Sequence, residues 1–145
     1  MFLTNNNIGD KGLEALAEPL AHNRALRCLS FSGNTAITKI GVRAISRSIQ
    51  SRKCRLEDLR LDRINICEDG GKILGDALSV NTSLVSLSLR CEDNDMSIGD
   101  NGLKALAVGL SRNSHLKNST YLKTQPLLLW DYALSSSTSD LRHVH

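Results

Sequence analysis

The sequence is poor in aromatic side chains, and its cysteines show no pairing by spacing. Phe, Trp and Tyr make up 3% of the 145 residues, so a core has to be built from Leu, Ile, Ala and Val. No two cysteines have C-x-x-C spacing, which gives no support to a zinc knuckle or a thioredoxin-like site. We expect free thiols of a reducing, intracellular compartment at Cys28, Cys54, Cys67 and Cys91.

Long apolar runs and strong net charge are also missing. The N-terminal MFLTNNN has neither the basic nor the apolar region of a signal peptide, which favours a cytoplasmic location. The apolar run Leu127–Trp130 is far too short to span a bilayer. The net charge of +3 and the pI of about 8.8 are mildly basic and do not by themselves indicate nucleic acid. We expect no nucleic-acid partner.

Motifs of catalysis and of metal or cofactor binding are absent. Gly70-Gly71-Lys72 lacks the frame of a phosphate-binding loop. Asp93-x-Asp95 lacks the glycine and the closing glutamate of a calcium loop. No Ser/His/Asp or Cys/His set can be paired from spacing. The sequence therefore predicts a non-enzymatic protein with no catalytic residue, no cofactor and no metal site.

What the sequence does contain is a repeat of about 30 residues, best seen from Leu56 to Ser83. It begins with L-x-x-L-x-L, the spacing of a short strand whose alternate side chains point inward. Ile73, Leu74 and Leu78 then recur at the spacing of one helix face. Strand patterns begin 28 to 32 residues apart, at Leu26, Leu56, Leu84 and Leu116. Because one such unit cannot bury its apolar face alone, the repeat predicts an α/β solenoid.

A glycine marks each predicted helix and is followed by an aliphatic residue four and eight positions later. The four glycines are Gly12, Gly41, Gly70 and Gly102. Since glycine has no Cβ, we expect each to open its helix at a place where two backbones crowd together.

The repeats divide the chain into two predicted regions. Residues 1–116 form a domain of about four repeats: 1–25 (partial), 26–55, 56–83 and 84–115. Residues 117–145 lose the leucine pattern and become rich in serine, which predicts an irregular or partly disordered tail. The apolar Leu127–Trp130 is a candidate to cover the open end of the last repeat.

These residues resemble ribonuclease-inhibitor-type leucine-rich repeats, with the pattern L-x-x-L-x-L-x-x-N-x-I-x-x-x-G-x-x-x-L-x-x-x-L. Leu3–Gly12 and Leu56–Leu78 carry it here. The resemblance implies a curved horseshoe with short parallel strands on the concave side and helices on the convex side. It also implies that Asn6 and Asn34 bond the backbone of their turns.

Two features depart from the family pattern. Ile64 and Glu92 stand in the asparagine position, so their turns should be looser or differently bonded. The chain also begins inside a repeat and shows no capping element, which suggests a fragment of a longer array and leaves self-association through the open ends as a further expectation.

The outward strand positions are the candidate binding residues, since solenoids usually bind through the concave side. Stacking of strands predicts one row with Ser30, Arg60 and Ser88 and another with Ser32, Asp62 and Arg90. Such a mixed polar face suits a protein partner. The alternative is a solvated surface on which Asp62–Arg90 and Glu57–Arg27 neutralise each other. The full set is Arg27, Ser30, Ser32, Glu57, Arg60, Asp62, Ser86, Ser88 and Arg90.

Other functions stay open. Lys39 to Arg55 holds six cations and no acid, a candidate convex patch for acidic protein, phosphate or lipid. A solvated outer face is favoured, because no aromatics interleave for base stacking. The resemblance also leaves a regulator of a small GTPase, similar to Ran GTPase-activating proteins, or a fragment of a NOD-like receptor sensing domain.

Overall fold

The computed structural model describes residues 1–90 and 98–121. Helices and short strands alternate along this part of the chain. The helices are α1 (Asp10–His22), α2 (Lys39–Gln50), α3 (Cys67–Val80) and α4 (Gly99–Arg112). The strands are β1 (Cys28–Ser30), β2 (Asp58–Arg60), β3 (Ser86–Leu89) and β4 (Asn118–Tyr121).

The strands form one parallel sheet in chain order, β1-β2-β3-β4. Each helix carries the chain back to begin the next parallel strand, because parallel neighbours need a crossover. Leu29, Leu59 and Leu87 lie in one register row, and all three are buried. The predicted strand-turn-helix solenoid is therefore confirmed.

The core is an aliphatic layer between the sheet and the helices. Buried leucines of the strands meet buried aliphatic side chains of the helices, such as Ile45, Leu74 and Leu106. Phe31 is the largest fully buried side chain of the described residues. The core thus has the composition that the low aromatic content predicted.

Residues 1–5 extend the sheet beyond β1. The Leu3 N–H donates to the Ser30 carbonyl at 2.8 Å, and the Ser30 N–H donates to the Met1 carbonyl at 3.1 Å. Phe2 stands opposite Ser30. Leu3 packs against the core, whereas Met1 is 45% exposed.

Asn34 bonds the backbone of its own turn, as the resemblance implied, and also that of the preceding repeat. Its side chain is fully buried. Oδ1 accepts the N–H groups of Asn6 and Ile8 at 3.0 and 2.9 Å. Nδ2 donates to the carbonyls of Leu3 and Phe31 at 2.8 and 2.7 Å. One amide thus satisfies four backbone groups and ties two repeats together.

The other asparagine positions differ from Asn34. Asn6 is exposed, and its Nδ2 donates to the Thr4 carbonyl at 3.2 Å. Ile64 is buried in the core and has no side-chain amide, and its turn is bonded in another way: the Asn65 N–H donates to the Ile37 carbonyl at 3.2 Å and the Asp62 N–H to the Ser32 Oγ at 3.3 Å. This is the differently bonded turn that was expected. Glu92 lies outside the described residues.

A second asparagine ladder, which sequence analysis missed, closes the turns from helix to strand. The Asn113 Nδ2 donates to the carbonyls of Leu78 and Asn81 at 2.6 and 3.0 Å, and Asn81 makes a similar bond to the Ile49 carbonyl at 2.6 Å. Asn23 holds the equivalent place after α1. The signal was present in the sequence, since asparagine follows three of the four helix stripes.

The predicted role of the four glycines holds only in part. A Cβ on Gly102 would approach the Glu68 backbone at 3.0 Å. A Cβ on Gly12, Gly41 or Gly70 would instead meet side chains first. The tightest backbone approach lies between Gly75 of α3 and Gly109 of α4, where an added Cβ on Gly109 would strike the Gly75 carbonyl.

The prediction of an irregular segment from residue 117 onwards is wrong for 118–121. Ser86↔Asn118 and Leu89↔Tyr121 pair in the parallel register of β3 and β4. Backbone hydrogen bonding to the open edge of β3 forms this strand without inward leucines. Ser119 takes the leucine position, and its Oγ is buried with no hydrogen-bond partner in the described part of the chain. The tail from 122, including Leu127–Trp130, lies outside the described residues.

Candidate protein-binding surface

The predicted rows of outward side chains follow the register of the sheet. Ser30 pairs with Arg60, and Arg60 pairs with Ser88. The Gly33 N–H donates to the Asp62 carbonyl, and the Arg63 N–H to the Arg90 carbonyl, both at 2.8 Å, which continues the second row. The strand spacing thus aligns these positions as the sequence predicted.

Ser30 and Ser32 are less accessible than their outward position suggested. They are 2% and 8% exposed. The extra strand-like segment at the N-terminus places the Thr4 hydroxyl 3.1 Å from the Ser30 Oγ, and Ser30 in turn donates to the Ser32 Oγ at 3.2 Å. These two serines therefore lie beneath the exposed surface of the concave face and do not form part of it.

The two ion pairs of the alternative interpretation, a solvated surface, behave differently. Arg27 and Glu57 form an ion pair at 3.3 Å between half-exposed side chains. Asp62 and Arg90 do not pair within 4.0 Å. The Asp62 carboxylate instead accepts hydrogen bonds from the Ser88 hydroxyl at 2.6 Å, the Ser32 hydroxyl at 3.3 Å and the backbone N–H of Arg90 at 2.7 Å. The Asp62–Arg90 ion pair that the alternative interpretation assumed is therefore not formed, and neutral donors bond the carboxylate instead.

Arg60 is held in place at the centre of the face. Its Nη2 lies 3.0 Å from the Asp58 Oδ2, and its guanidinium carbon lies 5.9 Å from the centre of the Phe2 ring. Hydrogen bonding to Asp58 and its negative charge raise the pKa of Arg60. The Phe2 ring is 67% exposed, so the cluster presents an aromatic face beside a fixed cation.

Cys28 stands beside this cluster as a protonated thiol. Its Sγ lies 3.6 Å from the Asp58 Oδ2. Burial, followed by the negative charge of Asp58, raises the pKa of Cys28. Because the thiolate is the nucleophile, the raised pKa makes this thiol less reactive at neutral pH than an ordinary cysteine.

Beyond Arg60 the face becomes more basic. Ser86 and Ser88 are partly exposed, and Arg90 and Lys117 are exposed. Among residues 1–90 and 98–121, neither Arg90 nor Lys117 has an acidic group within 4.0 Å. Glu57 and Asp58 of this face are in ion pairs, and Asp62 is bonded by neutral donors only. Arg90 and Lys117 therefore add unpaired positive charge on the side of the face beyond Arg60.

A groove of about 320 Å³, here called the rim groove, lies where β2, β3 and β4 begin. It joins the concave face, because it shares Arg27 and Glu57 with it. Its lining combines cations, hydroxyl groups and one aliphatic side chain. The lining residues are Arg27, Arg55, Glu57, Thr82, Ser83, Val85, Ser114, His115 and Lys117.

The basic patch on the convex side is smaller than its composition suggests. Lys39 is paired with Asp69 of α3 at 2.7 Å, and hydrogen bonding to Lys39 lowers the pKa of Asp69. Arg43 and Arg47 are exposed and unpaired among the described residues. Together with Glu14 they line a groove of about 350 Å³ between α1 and α2, here called the helix groove.

The described residues give no sign of a metal or membrane site. No three His, Cys, Asp or Glu side chains of this part of the chain could together hold a metal ion. No helix within the same residues is long and apolar enough to cross a membrane.

The parallel sheet in chain order, the helix between each pair of consecutive strands and the asparagine-bonded turns define a solenoid of leucine-rich repeats. The Leucine Rich repeat family matches residues 3–17 and 22–46. The chain is a leucine-rich repeat protein of the ribonuclease-inhibitor type.

Two curated relatives are similar over most of this chain. The human NACHT, LRR and PYD domains-containing protein 5 is 30% identical over 145 residues, and the ribonuclease inhibitor of Sus scrofa is 32% identical over 124 residues. These alignments cover 99% and 86% of the chain. They span 12% and 25% of the two relatives, so the chain corresponds to a small part of each.

Solved structures share the fold. The structure of the actin-binding site 2 of leiomodin-1 is similar with a TM-score of 0.76 at 22% identity. The C-terminal domain of tropomodulin from Caenorhabditis elegans is similar with a TM-score of 0.74 at 15% identity. Each similarity covers 98% of this chain, and 82% and 85% of the two structures respectively.

Proposed function

We propose that this chain is a non-enzymatic protein-interaction module whose partner binds the concave strand face. The observation that carries the proposal is the Phe2–Arg60–Asp58 cluster on the open face of the sheet. Aromatic and arginine side chains dominate the binding energy of many protein interfaces. The similar structure from leiomodin-1 is an actin-binding site, and a protein partner for that relative agrees with a binding role for this fold.

The cluster favours binding because it is organised before the partner arrives. The Arg60 side chain is 47% exposed, yet Asp58 and the Phe2 ring hold its position. Immobilising a free arginine on binding costs about 0.5–1.5 kcal/mol of conformational entropy, and part of this cost is met in the folded chain.

Site-directed photocrosslinking tests where a partner binds. Ser86 is partly exposed on the concave face, and Arg47 is exposed on the convex face. We would replace each in turn with p-benzoylphenylalanine (Ser86→p-benzoylphenylalanine and Arg47→p-benzoylphenylalanine) and irradiate the chain in cell extract. A discrete adduct from position 86 alone identifies a candidate partner, which is then purified and titrated against the chain.

The titration decides the outcome. A purified partner that binds the wild-type chain saturably, and binds the Arg60→Glu variant at least tenfold more weakly, supports the proposal. Adducts that form only from position 47, or an affinity that Arg60→Glu leaves unchanged, would overturn it.

A second candidate function is the ligand-sensing repeat segment of a NOD-like receptor. The 30% identity to the NACHT, LRR and PYD domains-containing protein 5 favours it. The transcript that encodes this chain discriminates between the two. Further repeats and a nucleotide-binding domain in the same reading frame would support the receptor segment, whereas a transcript without them would exclude it.

A further inference from the structure

The rim groove has a charge imbalance that points to the chemistry of its occupant. Its one acid, Glu57, is held by Arg27 at 3.3 Å, and Arg27 also donates to the Arg55 carbonyl at 3.2 Å. Arg55 and Lys117, which line other parts of the groove, have no acidic group within 4.0 Å among residues 1–90 and 98–121. With Glu57 neutralised, the groove carries a net positive charge.

The remaining lining suits an extended peptide with carboxylate side chains. Hydroxyl groups of Thr82, Ser83 and Ser114 line the groove and supply further hydrogen-bond donors. Val85 is partly buried and provides an apolar surface for the methylene groups of a glutamate. A volume of about 320 Å³ is large enough for a few side chains.

We propose that the rim groove binds an acidic segment of the protein partner, with Arg55 and Lys117 as the cations that contact its carboxylates. This inference builds on the proposed function, because the groove is continuous with the concave face through Arg27 and Glu57. It adds the class of partner: a protein that presents clustered Asp or Glu side chains beside its main contact.

The helix groove fits an acidic segment less well, although Arg43 and Arg47 also lack counter-ions in the described part of the chain. Glu14 lines that groove, and no ion pair within 4.0 Å neutralises it among the described residues. An acidic segment there would meet a like charge, whereas Glu57, the acid that lines the rim groove among the described residues, is already paired. The helix groove therefore provides a matched control.

Fluorescence anisotropy with a labelled deca-glutamate peptide tests the proposal on the full chain. The Arg55→Glu/Lys117→Glu variant and the Arg43→Glu/Arg47→Glu variant change the net charge by the same amount. We expect the first to weaken peptide binding about tenfold, which corresponds to about 1.4 kcal/mol, and the second to change it less than twofold. Far-UV circular dichroism of both variants confirms that they fold.

Three results would overturn the inference. The first is that the wild-type chain does not bind deca-glutamate saturably. The second is that both variants lose binding equally, and the third is that a deca-thymidylate oligonucleotide of similar length binds more tightly than the peptide. Equal losses would show an effect of net charge alone, and tighter oligonucleotide binding would assign the groove to nucleic acid.

A separate measurement distinguishes this failure from failure of the proposed function. If the crosslinked partner loses affinity for the Arg60→Glu variant but not for Arg55→Glu/Lys117→Glu, the concave face remains the binding surface and only the acidic-segment inference fails. If neither variant affects the partner, the proposed function fails as well.

Discussion

Removal of the Asn81 side chain should be one of the most destabilising polar substitutions in the described part of the chain. The side chain is 4% exposed, and its Nδ2 donates to the Ile49 carbonyl at 2.6 Å while Oδ1 accepts the Leu84 N–H at 2.8 Å. Asn81→Ala leaves both backbone groups without a partner in the core. Each costs about 1–3 kcal/mol, so we expect a loss of about 3 kcal/mol in the free energy of unfolding.

Urea denaturation followed by circular dichroism measures this loss as a lower midpoint with an unchanged slope. Asn23→Ala is the matched control. Its Oδ1 accepts the Ala25 and Leu26 N–H groups at 2.9 and 2.7 Å, but it is exposed, so water replaces the lost bonds. We expect the control to cost less than about 1 kcal/mol. Equal losses in the two variants would refute the reasoning that burial of the ladder sets its contribution.

Three further predictions concern stability. Ser46 Oγ is buried without a partner among the described residues, whereas Ser48 Oγ donates to the carbonyls of two helices, so Ser46→Ala should leave the melting temperature equal or higher and Ser48→Ala should lower it. A Cβ on Gly75 would lie 2.5 Å from a backbone oxygen of α4, so Gly75→Ala should lower the free energy of unfolding measured in urea by about 1–3 kcal/mol. Gly9→Ala, whose Cβ would meet no atom closer than 3.6 Å, should cost less. Burial raises the pKa of Asp10, but hydrogen bonds from Thr38 and from the Gly41 N–H outweigh this effect and lower it below 3.8. The ionised carboxylate therefore stabilises the fold above that pH, and this stabilisation is lost as the pH falls further. Melting temperatures of wild type and Asp10→Asn should differ at pH near 7 and converge in acid. Each prediction has an outcome that would contradict it. These are a fall in melting temperature for Ser46→Ala as large as for Ser48→Ala, an unchanged free energy of unfolding for Gly75→Ala, and melting temperatures of wild type and Asp10→Asn that do not converge in acid.

The leucine spacing was sufficient to predict β1, β2 and β3, because the inward positions of these strands face the core and are apolar. It also placed Ser30, Arg60 and Ser88 in one row, since the register of equivalent positions follows from the repeat. The burial of Ser30 could not be predicted in this way. It depends on Thr4 and the N-terminal segment that pairs with β1, a contact between residues 26 positions apart.

Side-chain partners were predicted less well than backbone register. Spacing places Asp62 near Arg90, but it cannot show that the Ser32 and Ser88 hydroxyls and the Arg90 N–H already occupy the carboxylate. The close approach at Gly75 and Gly109 was missed for a similar reason. Their positions within each helix are ordinary, and only the packing of α3 on α4 makes them essential.

Strand β4 shows the limit of a rule based on leucine. Asn118–Tyr121 has no inward leucine, yet it pairs with β3 over four residues. The unpaired backbone groups at the edge of β3 are satisfied by this pairing whatever the side chains are. Edge strands at the end of a repeat array therefore need fewer apolar residues than internal ones.

The central claim is that the partner binds the concave strand face, and an affinity comparison tests it most directly. The crosslinked partner is titrated by calorimetry against wild type, Arg60→Glu/Arg90→Glu and the convex control Arg43→Glu/Arg47→Glu, which carries the same change in net charge. We expect the concave variant to weaken binding at least tenfold, while the convex control stays within about twofold of wild type. Equal affinity of the concave variant and wild type, or a larger loss in the convex control, would contradict it.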